Sequence, residues 1–168
     1  MPRIIVLMGV SGSGKSIVGE RLARELGAPF ADADQFHPPE NIAKMSRAIP
    51  LTDEDRKPWL ERMRREVIEA TPLGSQTVLA CSALKRAYRD FLRSGVGDVY
   101  FVHLRGSLDL IASRILARQG HFMKRDLLES QFAALEEPEG EPNTLIVGID
   151  RPIHELVAEV KQWLDGCH

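Results

Sequence analysis

The chain has 168 residues, and its 22 lysines and arginines nearly balance its 24 aspartates and glutamates, for a formal net charge of −2. This length suits one domain over residues 1–168, and the near-neutral charge gives no reason to expect nucleic acid as a partner. No apolar run approaches membrane-spanning length, so we expect no membrane segment. Because a strand and a glycine-rich loop begin at once, we expect no signal peptide. The two cysteines have neither metal nor disulfide-framework spacing, which indicates a reducing compartment.

The first predicted strand, 3–8, leads into a glycine-rich loop and a predicted helix over 15–26. The loop reads Gly9-Val10-Ser11-Gly12-Ser13-Gly14-Lys15-Ser16 and matches the Walker A pattern G-x-x-x-x-G-K-[ST]. Glycines allow the backbone to curl around phosphate oxygens, and the following helix adds the positive end of its dipole. We therefore expect this loop to bind ATP, with Lys15 at the β- and γ-phosphates and Ser16 as a ligand of Mg²⁺.

The second predicted strand, 29–32, ends in Asp32-Ala33-Asp34. In an extended backbone the two carboxylates point the same way, and their repulsion favours a cation beside them. We expect Asp32 to support the Mg²⁺, through water, and Asp34 to take the proton of an acceptor hydroxyl. A solvated strand end rich in turn-forming aspartate is the alternative.

Two further helices are predicted, at about 38–46 and about 55–70. The segments that contain them hold a mostly basic set of side chains, His37, Lys44, Arg56 and Lys57. Such a set suits an acceptor that carries a carboxylate, and the planar guanidinium of Arg56 suits a bidentate grip. Read one at a time, each of these residues is more typical of a solvated surface charge.

A third predicted strand, 77–81, precedes a helix over 85–93 that is crowded with Lys85, Arg86, Arg89 and Arg93. We expect most of these bases to be solvated, while those in the first turn point toward the strand ends. The remaining predicted strands are 99–104 and 144–149, and the remaining predicted helices are 107–118, 127–136 and 152–164. This alternation predicts an α/β fold with a parallel sheet and helices on both faces, and ligands at the carboxyl ends of the strands.

Two connecting segments differ in charge. The basic stretch 118–126 is either a lid that closes over phosphates at about 119–126 or a solvated connector. The acidic, proline-rich run 136–142 is expected to be an exposed loop without a chemical role.

The phosphate loop leaves three classes of protein open. A GTPase switch needs an Asn/Thr-Lys-x-Asp segment, which the chain lacks. A mechanical ATPase usually has a strand that ends in an acidic residue, whereas strand 77–81 ends in Cys81-Ser82. A small-molecule kinase needs a carboxylate near the phosphate loop to accept the proton of the acceptor, and Asp34 supplies one. The kinase interpretation is favoured.

Taken together, these segments resemble the gluconokinase family of P-loop kinases. The resemblance is carried by "GVSGSGKS", "DAD" followed by "FHPPENIAKM", "PLTDEDRKPWL", "ACSALKRAYRDFLR" and "GHFMKRDLLESQF", which together span residues 4 to about 138. It implies a P-loop NTPase fold of the nucleoside-monophosphate-kinase type with a lid, and phosphorylation of D-gluconate by ATP in the cytoplasm. Homodimers are frequent in the family.

The resemblance also assigns residues. The lid pattern falls on Arg118, Gly120, His121 and Phe122, and Arg114 lies one helical turn before Arg118, so both arginines can face the phosphates. Ala33 and Ala48 stand where the family usually has glycine, and Asp150–Pro152 lies where the fold usually places an adenine loop. The expected acceptor-binding residues are Asp34, His37, Lys44, Arg56, Lys85 and His121. Only the resemblance points to gluconate, because shikimate or another sugar acid would also suit a basic pocket.

Overall fold

The computed structural model describes residues 1–95, 97–119 and 125–167. Within these ranges five parallel strands form one sheet in the order β2-β3-β1-β4-β5. The strands are β1 (Arg3–Met8), β2 (Phe30–Asp32), β3 (Gln76–Ala80), β4 (Asp98–Arg105) and β5 (Thr144–Gly148). The helices are α1 (Lys15–Leu26), α2 (Pro39–Ser46), α3 (Asp53–Met63), α4 (Arg86–Arg93), α5 (Leu108–Gln119), α6 (Arg125–Ala134) and α7 (Ile153–Asp165).

The predicted α/β fold is confirmed. Predicted and observed element limits differ by no more than two residues, with the predicted helix 55–70 observed as α3 followed by a π-helical turn at Arg64–Ile68. The local hydrophobic pattern was sufficient for the clearest elements, because β1 and β3 are short apolar runs and α7 carries an apolar stripe.

The central strand β1 divides the core into two clusters, one on each face of the sheet. Ile5 and Leu7 pack with side chains of α1 and α7, whereas Ile4, Val6 and Met8 pack with side chains of α3 and α4. All five residues are fully buried. Burial on both faces is the reason that β1 reads as an unbroken apolar run.

Parallel pairing gathers the strand ends that the sequence marked as functional. Asp32 at the end of β2 is opposite Ala80 of β3, and Ala80 is opposite Leu7 of β1. The phosphate loop after β1 and the Asp32–Asp34 segment after β2 therefore emerge at the same edge of the sheet. This is the edge at which open α/β sheets bind ligands.

The expected solvation of α4 was wrong for Arg89, which is fully buried. Arg89 Nε and Nη2 donate to the two carboxylate oxygens of Glu141 at 2.9 and 2.7 Å, and Nη1 donates to Ala83 O at 2.7 Å. The segment 136–142, expected to be an exposed loop without a role, thus supplies a buried counterion. Periodicity could not reveal this pair, because its members lie 52 residues apart in sequence.

Two further features bear on the sequence expectations. None of the described helices is long and apolar enough to cross a membrane. Cys81 and Cys167 are free, and burial raises the pKa of the Cys81 thiol to about 12, so this side chain stays protonated and unreactive near neutral pH.

Candidate active site

The loop between β1 and α1 has the backbone of a phosphate cradle. Gly9, Gly12 and Gly14 have φ angles of 150°, 81° and 98°, a region that side chains disfavour. A Cβ atom on Gly9 would lie 2.7 Å from Ser13 Oγ, and one on Gly12 would lie 2.6 Å from the Ile115 side chain. Gly14 is the N-cap of α1, and no side chain among the described residues caps this helix. Its first-turn amides are therefore available to an anion.

Lys15 closes the loop from the helix side. Its Nζ donates to Gly9 O at 3.1 Å and to Val10 O at 3.0 Å. Burial lowers the pKa of Lys15, against the opposing charges of Asp34 and Asp32. Ser13 Oγ is also buried and has no hydrogen-bond partner among the described residues. A buried ammonium and an unpaired buried hydroxyl are satisfied together by phosphate oxygens, so the loop fits a polyphosphate.

A cavity of about 400 Å³ opens beside this loop, within the size range of small-molecule sites. The cavity is lined by Gly12–Gly14 and Arg114 and by the apolar residues Ile149, Pro152 and Leu156. Arg151 and Pro152 also line it, so the predicted adenine-loop segment borders the same cavity as the phosphate loop. A lining of this mixed character suits a polyphosphate with an attached base.

The expected metal residues lie together. Ser16 Oγ donates to Asp32 Oδ2 at 3.1 Å. Among the described residues no group of three or more His, Cys, Asp and Glu side chains could hold a metal ion. A cation here would therefore take few protein oxygens and complete its shell with phosphate and water, which is how Mg²⁺ usually binds beside nucleotides.

Asp34 has the expected neighbours for a different structural reason. The strand ends at Asp32, and Ala33–Phe36 form a 3₁₀ turn in which Asp32 Oδ1 accepts from the Asp34 amide at 3.0 Å. The prediction that an extended backbone aligns the two carboxylates was wrong, because Asp32 caps this turn. Burial and the charge of Asp32 nevertheless raise the pKa of Asp34, while Lys15 opposes the shift.

His37 does not add a positive charge to the acceptor side. Its ring stacks on Trp59, with centroids 4.5 Å apart, and its Nδ1 is 3.1 Å from Asn41 Nδ2. Burial, assisted by the charge of Arg56, lowers the pKa of His37 to about 4, so the imidazole is neutral near pH 7. Trp59 Nε1 in turn donates to Ala33 O at 2.7 Å. This stack therefore braces the segment that carries Asp34.

The predicted acceptor-binding lysines already have carboxylate partners. Lys44 Nζ donates to both oxygens of Asp55 at 2.9 and 2.8 Å. Lys85 Nζ donates to Asp53 Oδ1 at 2.9 Å. These contacts make the acceptor side less positive than the sequence suggested, because α3 carries one counterion for each lysine.

Arg56 and Lys85 are brought together by two residues that the sequence reasoning gave no role. Tyr88 OH forms a short hydrogen bond with Asp53 Oδ1, which also holds Lys85. Arg56 Nη1 donates to Tyr88 OH at 3.1 Å and to Leu51 O at 2.8 Å. The hydrogen bonds from Tyr88 and Lys85 lower the pKa of Asp53. Lys85 and Tyr88 lie three apart at the start of α4, a spacing that would have indicated a shared partner.

Comparisons with known proteins agree with this geometry. A family model described as "Shikimate kinase" matches residues 11–143. A probable gluconokinase of Xenopus tropicalis is 45% identical over 96% of this chain and 93% of its own length. The thermoresistant gluconokinase of Escherichia coli (strain K12) is 46% identical over 92% of this chain and 89% of its own length. The chain belongs to the gluconokinase family.

A solved structure supports the same assignment. A gluconokinase from Sinorhizobium meliloti 1021 is 45% identical, covers 99% of this chain and 98% of its own, and has a TM-score of 0.87. In this member of the gluconokinase family, Arg114 lines the cavity beside the phosphate loop. Arg118 lies in α5, but its side chain is outside the described part of the chain, as are His121 and residues 120–124 of the predicted lid. Their roles stay predictions.

Proposed function

We propose that this protein is a gluconokinase, which transfers the γ-phosphoryl group of ATP to the 6-hydroxyl of D-gluconate and releases 6-phosphogluconate and ADP. The observation that carries the proposal is the phosphate loop with Lys15 beside the Asp32–Asp34 segment, in a chain 45% identical to a solved gluconokinase over nearly its whole length. The loop accounts for the donor, and Asp34 accounts for activation of an acceptor hydroxyl.

In the proposed reaction, the 6-oxygen of gluconate forms a bond to the γ-phosphorus as the bond to the bridging oxygen of ADP breaks. Asp34 accepts the hydroxyl proton, and its raised pKa makes it a stronger base than an ordinary aspartate. Lys15 stabilises the charge that develops on the transferring group, helped by Arg114 and Arg118. Ser16 and Asp32 would hold the Mg²⁺, which supplies further charge neutralisation at the phosphates.

Arg56 is the residue we assign to the carboxylate of the acceptor. Lys44 and Lys85 are each neutralised by an aspartate, whereas both described hydrogen bonds of Arg56 use Nη1 and go to uncharged oxygens. Its charge is therefore the least compensated of the three. The two lysines, the neutral ring of His37, and His121 are assigned to the acceptor as further ligands.

The proposal is tested by measuring ADP release with gluconate, shikimate, glucose, nucleoside monophosphates and water as acceptors. We expect gluconate to be preferred strongly and glucose, which lacks the carboxylate, to be poor. Preference for shikimate would support the activity for which the matching family model is named. High turnover without an acceptor would support an ATPase or switch.

Two variants test the assigned roles. Asp34→Asn should reduce kcat far more than it weakens ATP binding, because it removes a base; if ATP binding collapses instead, Asp34 serves the metal.

Arg56→Lys should raise KM for gluconate by one to two orders of magnitude, roughly the 1.5–3 kcal/mol of a charge-assisted contact, and should leave KM for ATP unchanged. An equal loss with gluconate and glucose would contradict the assignment to the carboxylate.

We also assign the enzyme to the cytoplasm, consistent with its free cysteines. The family resemblance favours a homodimer, which we also propose for this protein. Light scattering over a range of protein concentrations measures the mass directly, and the mass of a single chain at every concentration would contradict the dimer.

A further inference from the structure

Gln131 on α6 makes a two-point contact with the phosphate loop. The Ser11 amide donates to Gln131 Oε1 at 2.7 Å, and Gln131 Nε2 donates to Ser11 Oγ at 3.1 Å. The two residues lie 120 positions apart, and the mechanism above assigns Gln131 no role. One side-chain amide thus satisfies both a backbone and a side-chain group of the same loop residue.

The peptide group that contacts Gln131 through its N–H also forms a hydrogen bond with Lys15 through its C=O. The amide that Gln131 accepts from belongs to the Val10–Ser11 peptide. The carbonyl at the other end of this peptide, Val10 O, accepts from Lys15 Nζ at 3.0 Å and from Ser13 N at 3.2 Å. Because a peptide group is planar, holding its N–H also sets the direction of its C=O. Gln131 therefore orients the oxygen that positions Lys15 Nζ.

We propose that Gln131 is a positioning residue for phosphoryl transfer, which acts on Lys15 through the Val10–Ser11 peptide; this role rests on the proposed kinase function. The amide is suited to the task because it is uncharged. A carboxylate could also accept from the Ser11 amide, but it would place a negative charge beside the phosphates of ATP.

The flanking contacts show that the α6 end from which Gln131 acts is itself fixed. Just beyond α6, Glu136 N donates to Leu84 O at 2.7 Å, and Glu136 Oε1 accepts from Arg86 N at 2.9 Å. The segment is therefore attached to the loop after β3 as well as to the phosphate loop. A side chain on a segment held at two points can define the orientation of its partner more closely than one on a free loop.

The test is Gln131→Met, which keeps the length and helix propensity of the side chain but removes both hydrogen bonds. We expect kcat to fall about tenfold, as for the loss of one to two hydrogen bonds of ordinary strength, with KM for gluconate within about twofold of wild type. The matched control is Ser130→Ala on the same helix. Ser130 is exposed and its hydroxyl donates to Leu127 O of its own helix, so kcat should stay within about twofold.

A double-mutant cycle separates positioning from a purely structural role. If Gln131 acts through Lys15, then adding Gln131→Met to Lys15→Ala should change the residual kcat by less than about twofold. A tenfold loss that persists without the lysine would overturn the proposal, as would wild-type kcat in the single variant Gln131→Met.

A nucleotide-binding measurement tests the proposed role of Gln131 independently of the identity of the acceptor. Titration calorimetry with Mg²⁺ and a non-hydrolysable ATP analogue needs no acceptor. Gln131→Met should weaken this binding several-fold and Ser130→Ala should not, even if gluconate were the wrong substrate. Equal binding by wild type and both variants would count against Gln131 acting at the donor site.

Discussion

The buried pair of Arg89 and Glu141 makes a sharp prediction about stability. Every nitrogen of the Arg89 guanidinium has a partner: Glu141 holds Nε and Nη2, Glu136 O also accepts from Nη2, and two backbone carbonyls accept from Nη1. Arg93 Nη2 also lies 2.8 Å from Glu141. Burial alone would raise the pKa of Glu141, but the hydrogen bonds from both arginines lower it on balance, so this carboxylate is ionised.

Glu141→Gln keeps the shape of the side chain but leaves two arginine charges facing a neutral amide. Removing one member of a buried ion pair costs about 3–5 kcal/mol. At about 2–4 °C per kcal/mol for a chain of this size, Tm should fall by roughly 6–20 °C. The matched control is Glu139→Gln in the same loop, where the glutamate side chain is 69% exposed and pairs with Arg105 at the surface. Such a pair is worth at most about 1 kcal/mol.

Differential scanning calorimetry of the three proteins at neutral pH measures the difference. We expect Glu139→Gln to melt within about 4 °C of wild type and Glu141→Gln to melt far below both. If the two variants melted together, the buried pair would contribute no more than a surface pair, and the reasoning from burial would be refuted. Activity measured well below Tm should survive in Glu141→Gln, because the described hydrogen bonds of Arg89 go to Glu141 and to the backbone of Ala83, Leu84 and Glu136 rather than to the phosphate loop.

Three more predictions concern charge and backbone strain. Lys15→Ala should lower kcat about a hundredfold or more without lowering Tm, since it removes a buried cation; near-normal turnover in a coupled ADP assay would contradict its place at the phosphates. Burial lowers the pKa of His37 and of His103 to about 4, so the unfolded chain binds more protons between pH 4 and 6.5. The contribution of the two neutral rings to the free energy of unfolding is therefore fully present above pH 6.5 and is lost toward pH 4, by up to about 2.7 kcal/mol per pH unit. Urea midpoints that stay level from pH 7 to 5 would be inconsistent with two buried neutral rings. Ala48→Gly should raise Tm by a few degrees, because Ala48 has a φ of 56° and this conformation costs a residue with a side chain about 1–2 kcal/mol. The control Ala43→Gly, at an exposed position inside α2, should lower Tm instead. A lower Tm in both variants would argue against strain at Ala48.

Several features of this protein follow from the sequence alone, because they depend on neighbours along the chain. The phosphate loop is one, since its glycines, its lysine and the flanking apolar runs lie within a few residues of one another. The alternation of strands and helices is another, and it predicted the parallel sheet and the edge that carries the site. The family resemblance added the acceptor, which no spacing of basic residues specified.

The departures from glycine at Ala33 and Ala48 needed the backbone to be understood. Ala33 is not among the residues with a positive φ, and its methyl group is buried in the core, so alanine is accommodated. Ala48 lies in the left-handed region, where glycine is favoured. Both positions carry alanine in place of glycine, and only the backbone φ angle in the folded structure distinguishes them.

The tertiary structure alone decided which charged groups remain available for ligands. Lys44 and Lys85 are as basic in sequence as Arg56, but α3 presents an aspartate to each lysine. Arg89 is equally basic and lies in the core. The energy of a charge depends on burial and on partners brought from distant parts of the chain. Folding makes those contacts, as it makes the contact of Gln131 with the phosphate loop, and no local pattern encodes them.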